Sequence, residues 1–270
     1  MGKGVQAFFL PADRGARFVL FQPAQRDVSR GTILYVHPFA EEMNKARRMA
    51  ALQARAFADA GYDVMRIDLY GCGDSSGNFG DARWDIWKHD LALAGDWLAV
   101  RGKVPVHLWG MRLGAMLGLD YWREQPARFA SAILWQPVAS GETFMTQFLR
   151  LAVAGDALRG GASALTTGAL RNRLKQNESI EVAGYELAPV LVEEIDSLNL
   201  ANWAVQDGIV HWLDVRSGEE PPMATQRILD KWRERGIETH YRAVPGDPFW
   251  TTQEITEVPA LLNATLACLN

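Results

Sequence analysis

At 270 residues, with 48% apolar and 22% charged side chains, the chain has material for one large α/β domain with a full core. Its net charge of -4, with both signs mixed along the chain, excludes a general nucleic-acid or membrane-surface binder, which would carry a basic face. Cys72 and Cys268 lack metal-ligand spacing, and no apolar run has the length of a signal peptide or a membrane span. The expectation is a reduced, cytoplasmic protein without metal or cofactor.

The chain opens on two extended stretches, "VQAFFL" and "RFVLFQP", joined by "PADRGA", which reads as a hairpin. "GTILYVHPF" is an apolar, β-rich run typical of a strand covered on both faces. Met49, Leu52, Ala56, Phe57 and Ala60 then share one side of a helix that stops at Gly61. "YDVMRIDL" is the next strand, and Trp84, Trp87, Leu91, Ala94 and Leu98 mark an amphipathic helix. "VPVHLWG" follows as a strand, "RLGAMLGLDYWREQP" as a helix and "FASAILWQPV" as a strand.

The alternation breaks between Gly141 and Asp207. That stretch carries a helix around "TFMTQFLRLAVAG", a Gly-rich gap "RGGAS", an extended pair "IEVAGYELA" and a helix from Pro189, where proline suits the first turn. Strand "GIVHWLDV", helix "PPMATQRILDKWRERG", strand "IETHYRAV" and a last helix from Pro259 to Cys268 complete the chain. Alternating helices and covered strands imply a mostly parallel sheet of about eight strands with helices on both faces. The core would span residues 1–140 and 208–270, with 141–207 as a cap insertion.

Three strand ends carry motifs. Gly110-Met111-Arg112-Leu113-Gly114 has the frame of a nucleophile elbow, G-x-S-x-G, between a strand and a helix. "HPFAEE" ends the third strand, and "DLYGCGDSSG" ends the next one as a D-x-x-G-x-G-x-S turn. Together, in this order, they resemble the α/β-hydrolase superfamily over the whole chain. More narrowly, "HPFAEEMNKARRM", "DLYGCGDSSG", "LWGMRLGA", "VAGYELAP" and "GDPFWTTQEI" resemble the exosortase A system-associated hydrolase 2 family. That resemblance implies work beside bacterial PEP-CTERM sorting and exopolysaccharide synthesis, with a companion hydrolase as one partner. The family's name reflects a fold rather than a demonstrated reaction.

The triad order in this fold is nucleophile, acid, histidine. Here the nucleophile slot holds Arg112, whose guanidinium has five donors and no acceptor and cannot attack a carbonyl. The loop expected to supply histidine reads "VPGDPFW", with Asp247 in the slot, and no histidine follows His240. The acid slot offers Asp214, Glu219 or Glu220. A serine-hydrolase mechanism is therefore not available from these slots.

Other residues have a plain and a functional reading. Ser75 and Ser76 brace a turn or act as nucleophiles. Cys72 is a small buried hydrophobe or a reactive thiol. His37 braces its loop by hydrogen bonds or transfers a proton, while His89 and His211 fall within a helix and a strand and read as structural. Trp109, Trp135, Trp212 and Trp250 pack the core or wall an acyl or glycan pocket. Arg112, at a helix N-terminus where the dipole is positive, requires a nearby carboxylate. Asp247 is the first candidate, with Glu41, Glu42 and Glu219 as alternatives. The backbone N–H groups of Leu113 and Phe39, together with Arg112, His37 and Trp250, would otherwise form a receptor for a small anionic or acyl ligand.

These observations lead to two expectations. One is a degenerate hydrolase that binds a ligand or partner. The other is an enzyme cleaving an ester, thioester or related acyl bond without serine, through water activated by His37 or a carboxylate.

Overall fold

The computed structural model describes residues 3–102, 105–158, 165–203 and 208–269. The "RGGAS" gap and Asp207, the expected end of the insertion, lie outside the described residues. The chain begins with the hairpin β1 (Gln6–Ala12) and β2 (Gly15–Gln22). Core elements then follow in alternation: β3 (Thr32–Val36), α1 (Glu41–Asp59), β4 (Asp63–Ile67), α2 (Trp84–Ala99), β5 (Val106–Met111), α3 (Leu113–Glu124) and β6 (Ser131–Trp135). The segment after β6 holds α4 (Gly141–Leu158), α5 (Thr167–Lys175), the small hairpin β7 (Ile180–Val182) and β8 (Tyr185–Leu187), and α6 (Pro189–Asp196). The core resumes with β9 (Ile209–Val215), α7 (Met223–Glu234), β10 (Glu238–Val244) and α8 (Pro259–Ala267).

Eight strands form one sheet in the order β1-β2-β4-β3-β5-β6-β9-β10. Pairing is antiparallel from β1 through β2 to β4 and parallel from β4 to β10. Strands β3 and β6 are buried along their whole length, which is why they read as unbroken apolar runs. Period-two alternation sends successive side chains to opposite faces. Leu34, Val36, Leu108, Leu134 and Trp212 face α2, α3 and α7. Ile33, Tyr35, Trp109, Ile133, Trp135 and Leu213 face α1 and α8.

The spacing of Trp84, Trp87, Leu91, Ala94 and Leu98 matches the buried face of α2. Two elements differ from expectation. Helix α1 starts about two turns earlier than its apolar pattern suggests, and its buried face runs through Ala46, Met49, Ala50, Gln53, Ala54 and Phe57. Alanines permit this face to lie close on the sheet, while the larger Leu52 is only partly covered. Helix α5 has too few apolar residues to announce itself. It is set by Thr166, whose Oγ1 accepts the Ala169 N–H at 3.1 Å, and it buries only Leu170 and Leu174.

Candidate functional site

The parallel strands end on one side of the sheet, where β3, β4 and β5 deliver the three motifs. Arg112 joins β5 to α3 with φ 54° and ψ -122°, a backbone conformation costly for any residue with a Cβ. Its amide donates to Trp135 O at 2.9 Å, and its carbonyl accepts from Ala115 at 3.2 Å and Val138 at 3.3 Å. The two framing glycines are sterically required. A Cβ on Gly110 would sit 2.5 Å from Ala115 Cα, and one on Gly114 would sit 2.2 Å from His37 O. The elbow geometry is intact, and only its central side chain departs from the hydrolase pattern. Ala40, heading α1, adopts nearly the same strained conformation, φ 48° and ψ -124°. Two helix N-termini thus lie beside the site, each with leading N–H groups that have no acceptor inside the helix.

The Arg112 guanidinium meets Glu42, with Nε 3.1 Å from Oε1. Nη1 donates to Gln136 O at 3.4 Å. The rings of Trp250 and Phe144 lie 5.5 Å and 5.8 Å from the guanidinium carbon. The two charged side chains are 16% and 14% exposed. Burial pushes the Glu42 carboxyl above its usual range, and Arg112 partly offsets this. Glu42 also lies in the first turn of α1, where the helix dipole favours an anion.

The carboxylate beside Arg112 is therefore Glu42 and not Asp247, which corrects the first expectation. Asp247 is exposed, and only its backbone carbonyl is engaged, accepting from Phe249 at 2.8 Å. The loop turns Phe249 and Trp250 inward in its place, leaving them 1% and 6% exposed. Burial of two large rings outweighs burial of a short carboxylate at that turn.

The three candidates for the acid slot separate. Asp214 is buried on β9, with Oδ1 accepting from Trp212 Nε1 at 2.8 Å and Oδ2 from the Tyr241 hydroxyl at 3.2 Å. Burial raises its carboxyl, and those two bonds oppose the shift. Both oxygens are occupied within its own sheet. Glu219 and Glu220 are exposed beyond the end of β9.

His37 has both ring nitrogens engaged. Nδ1 lies 2.8 Å from Pro38 O, and Nε2 accepts the Leu69 N–H at 3.2 Å, a pattern that assigns the proton to Nδ1. Burial lowers its affinity for a second proton. The ring ties the end of β3 to the end of β4, and neither nitrogen is free for a substrate proton.

Ser75 Oγ donates to Asp68 O and accepts from Phe18 N at 2.8 Å, while Ser76 Oγ accepts from Ala16 N at 3.0 Å. Both serines brace the turn against the first hairpin. Cys72 is buried, and burial pushes its thiol far above the range where thiolate forms. The tryptophans pack: Trp109 meets Trp135 edge-on at 4.8 Å, and Trp135 Nε1 donates to Thr265 at 2.9 Å. His89 is exposed and contacts Asp85 O, and His211 stacks on His240 at 5.0 Å.

What remains open beside the elbow is small. Phe39 is packed edge-on by Phe79, Trp87, Phe144 and Phe148 at 5.1–6.1 Å. A cavity of about 10 Å³ is left among His37, Phe39, Cys72, Trp87, Leu113 and Gly114, enough for one water. Among the described residues no cluster of three or more His, Cys, Asp or Glu is arranged to hold a metal ion. No helix among them is long and apolar enough to cross a membrane.

Sheet order, elbow and the placement of the other two motifs at strand ends define an α/β-hydrolase fold. Residues 27–183 match the family model described as "Serine aminopeptidase, S33", and the chain belongs to that family. Among solved structures, Est1E from Butyrivibrio proteoclasticus with ferulic acid bound is 13% identical, with a TM-score of 0.70 over 97% of this chain and 98% of that one. A highly thermostable carboxyl esterase from Bacillus coagulans, in complex with glycerol, is 14% identical, with a TM-score of 0.69 over 99% and 98%. Mouse alpha/beta hydrolase domain-containing protein 10 is 13% identical, with a TM-score of 0.63 over 98% of each chain. At these identities the likeness shows the fold alone. Comparison with curated proteins finds no match.

Sequence reasoning placed Arg112 on the elbow and required a carboxylate beside it. It did not single out Glu42. The available signal was the position of Glu42, three residues beyond Phe39 and in the first turn of the helix that follows the strand adjacent to the elbow.

Proposed function

We propose that this chain is a non-hydrolytic member of the α/β-hydrolase superfamily that holds a ligand or a partner. Residues 141–207 would serve as its cap. The observation that carries the reading is the Arg112–Glu42 pair on the elbow, 3.1 Å apart and roofed by Phe144 and Trp250. An arginine there cannot form an acyl-enzyme, and its charge is already met by Glu42. The occupied nitrogens of His37 and oxygens of Asp214 support the same reading, because they leave neither group free as a general base, and Glu42, the carboxylate at the elbow, is paired with Arg112. The ligand would be an acyl chain with a carboxylate end, admitted by Phe144 and Phe148 of α4 swinging away from Phe39, since the closed packing leaves room there for only one water; its anion would compete with Glu42 for Arg112. The resemblance to exosortase-associated proteins supports a setting in exopolysaccharide or PEP-CTERM protein handling, beside an active companion hydrolase.

Membership of a hydrolase family favours the second reading, cleavage of an ester, thioester or related acyl bond by a non-serine route. One set of assays separates the two. Purified protein is offered p-nitrophenyl esters and acyl thioesters of short and long chain, and its melting temperature is followed with octanoate. The expected result is no turnover, with stabilisation by octanoate that is lost in Arg112→Ala. Turnover that survives Arg112→Ala and disappears in His37→Ala would overturn the non-hydrolytic reading.

A further inference from the structure

On the opposite face of the sheet, beneath α1, a row of hydrogen-bond donors runs across three strands without acceptors. Arg66 on β4 pairs in register with Tyr35 on β3, and Tyr35 pairs with Trp109 on β5. Among the described residues, the buried Arg66 Nε and Trp109 Nε1 have no acceptor. The Tyr35 hydroxyl has only Met111 Sδ at 4.0 Å, a weak acceptor. Gln53 on α1, wholly buried, likewise has both amide atoms without partners. Buried donors without acceptors are rare because each costs a large part of its desolvation energy.

A cavity of about 30 Å³ lies here, lined by Tyr35, Arg66, Arg47, Asp68, His37 and Met43. Its charges do not balance. Two guanidiniums, Arg47 and Arg66, line it with the single carboxylate of Asp68, a formal +1, and among the described residues Asp68 is paired with Arg47 alone. Asp68 is itself loosely held, 3.8 Å from Arg47 and accepting from Asp74 N at 3.1 Å. His37 is neutral, with both nitrogens occupied. The side chain of Arg47 is 45% exposed, so it stands at the mouth of the cavity.

We infer that this cavity is a binding site for one small monovalent anion of halide size, held by Arg66 Nε and the Tyr35 hydroxyl and entered past Arg47. Such an ion supplies the acceptor that Arg66 Nε lacks and a better one than Met111 Sδ for the Tyr35 hydroxyl, and it cancels the excess positive charge; Trp109 and Gln53 do not line the cavity. The site is distinct from the elbow, although His37 lines both cavities.

The test follows the melting temperature of the intact protein as sodium bromide replaces sodium gluconate at constant ionic strength. An ion that binds only the folded state raises the melting temperature in a saturable way. The wild type is expected to show that rise, and Arg66→Gln to need at least about tenfold more bromide, as for loss of a charge-assisted hydrogen bond. Arg112→Met, on the elbow and outside this cavity's lining, is expected to respond as wild type. Tyr35→Phe keeps the packing, removes one donor, and should also weaken the response if Arg66→Gln does not fold. A wild-type melting temperature indifferent to bromide overturns the inference, as does an Arg66→Gln or Tyr35→Phe response equal to wild type. A response lost in Arg112→Met alone would assign the ion to the elbow instead. Crystals soaked in bromide should show an anomalous peak within hydrogen-bonding range of Arg66 Nε; water in that position would also overturn it.

Discussion

Glu42 and Arg112 are each other's charge partners, yet they are not equivalent, and neutralising them one at a time should show it. Glutamine is the useful replacement at both sites. It keeps a polar side chain of similar reach and leaves the strained backbone of Arg112, φ 54°, as it is for any residue with a Cβ. The pair, 16% and 14% exposed, lies between a surface ion pair, worth under about 1 kcal/mol, and a fully buried one, whose disruption costs about 3–5 kcal/mol. Glu42→Gln leaves a cation at the N-terminus of α3, where the dipole adds about 0.5–1 kcal/mol of cost, and an arginine cannot shed its proton. Arg112→Gln leaves an anion in the first turn of α1, where the dipole helps by a similar amount. Its carboxyl, already raised by burial, can also take up a proton.

Both differences have the same sign. We expect Glu42→Gln to cost about 3 kcal/mol and Arg112→Gln about 1.5 kcal/mol at pH 7, on the scale of a charge left without its partner. Urea unfolding measures both, the shift in midpoint being converted at an unchanged m-value. In a chain of this size the Glu42→Gln midpoint temperature would fall by roughly 5–6 °C. The reasoning fails if Arg112→Gln is the more costly of the two, or if both lie within about 0.5 kcal/mol of wild type, the range of ordinary surface substitutions.

Three other outcomes follow from the same geometry. Burial, with His240 stacked beside it, lowers the His211 pKa from 6.5 to about 4. A histidine with a depressed folded pKa contributes stability above its unfolded value that is lost as pH falls through the interval between the two. Stability should therefore decline from about pH 6.5 towards pH 4, and His211→Gln should flatten that decline in urea midpoints taken across the range; a superimposable profile would exclude His211 as its source. Gly114→Ala would press a methyl into the His37 and Val36 carbonyls, at 2.2 Å and 2.5 Å, and should cost more than about 3 kcal/mol or prevent folding. Gly184→Ala, with nothing within 4 Å of the new methyl, should stay folded, its cost limited to the backbone strain of a φ of 84°. Burial raises the thiol of Cys72, and that of Cys268 to about 11, so neither should react quickly with a disulfide reagent at pH 8 until the protein unfolds. Rapid labelling of Cys72 in the native protein would mean that its cavity opens.

Much of the fold was legible because burial on both sides leaves a plain mark. Strands such as "TILYV" and "SAILW" are apolar throughout, and the tryptophans of α2 repeat at helical spacing. The elbow was legible because only glycine fits at positions 110 and 114. Helix α5 was not, since it depends on a cap and two leucines rather than a continuous face. Nor was the polar row of Arg66, Tyr35 and Trp109, whose members lie on three strands and meet only through register.

For the site, residue type alone settled that a permanent cation occupies the turn where an alcohol would be needed, because no environment gives a guanidinium a nucleophilic lone pair. It settled equally that a negative group had to be near. Which carboxylate answers was decided by tertiary structure. Asp247 sits in a loop that gains more by burying Phe249 and Trp250. Glu42, 70 residues from Arg112 in sequence, stands at the head of a helix whose dipole already favours its charge. Charge neutrality is a demand that composition can state, but the partner that meets it is chosen by packing, which exists only once the strands have been set side by side.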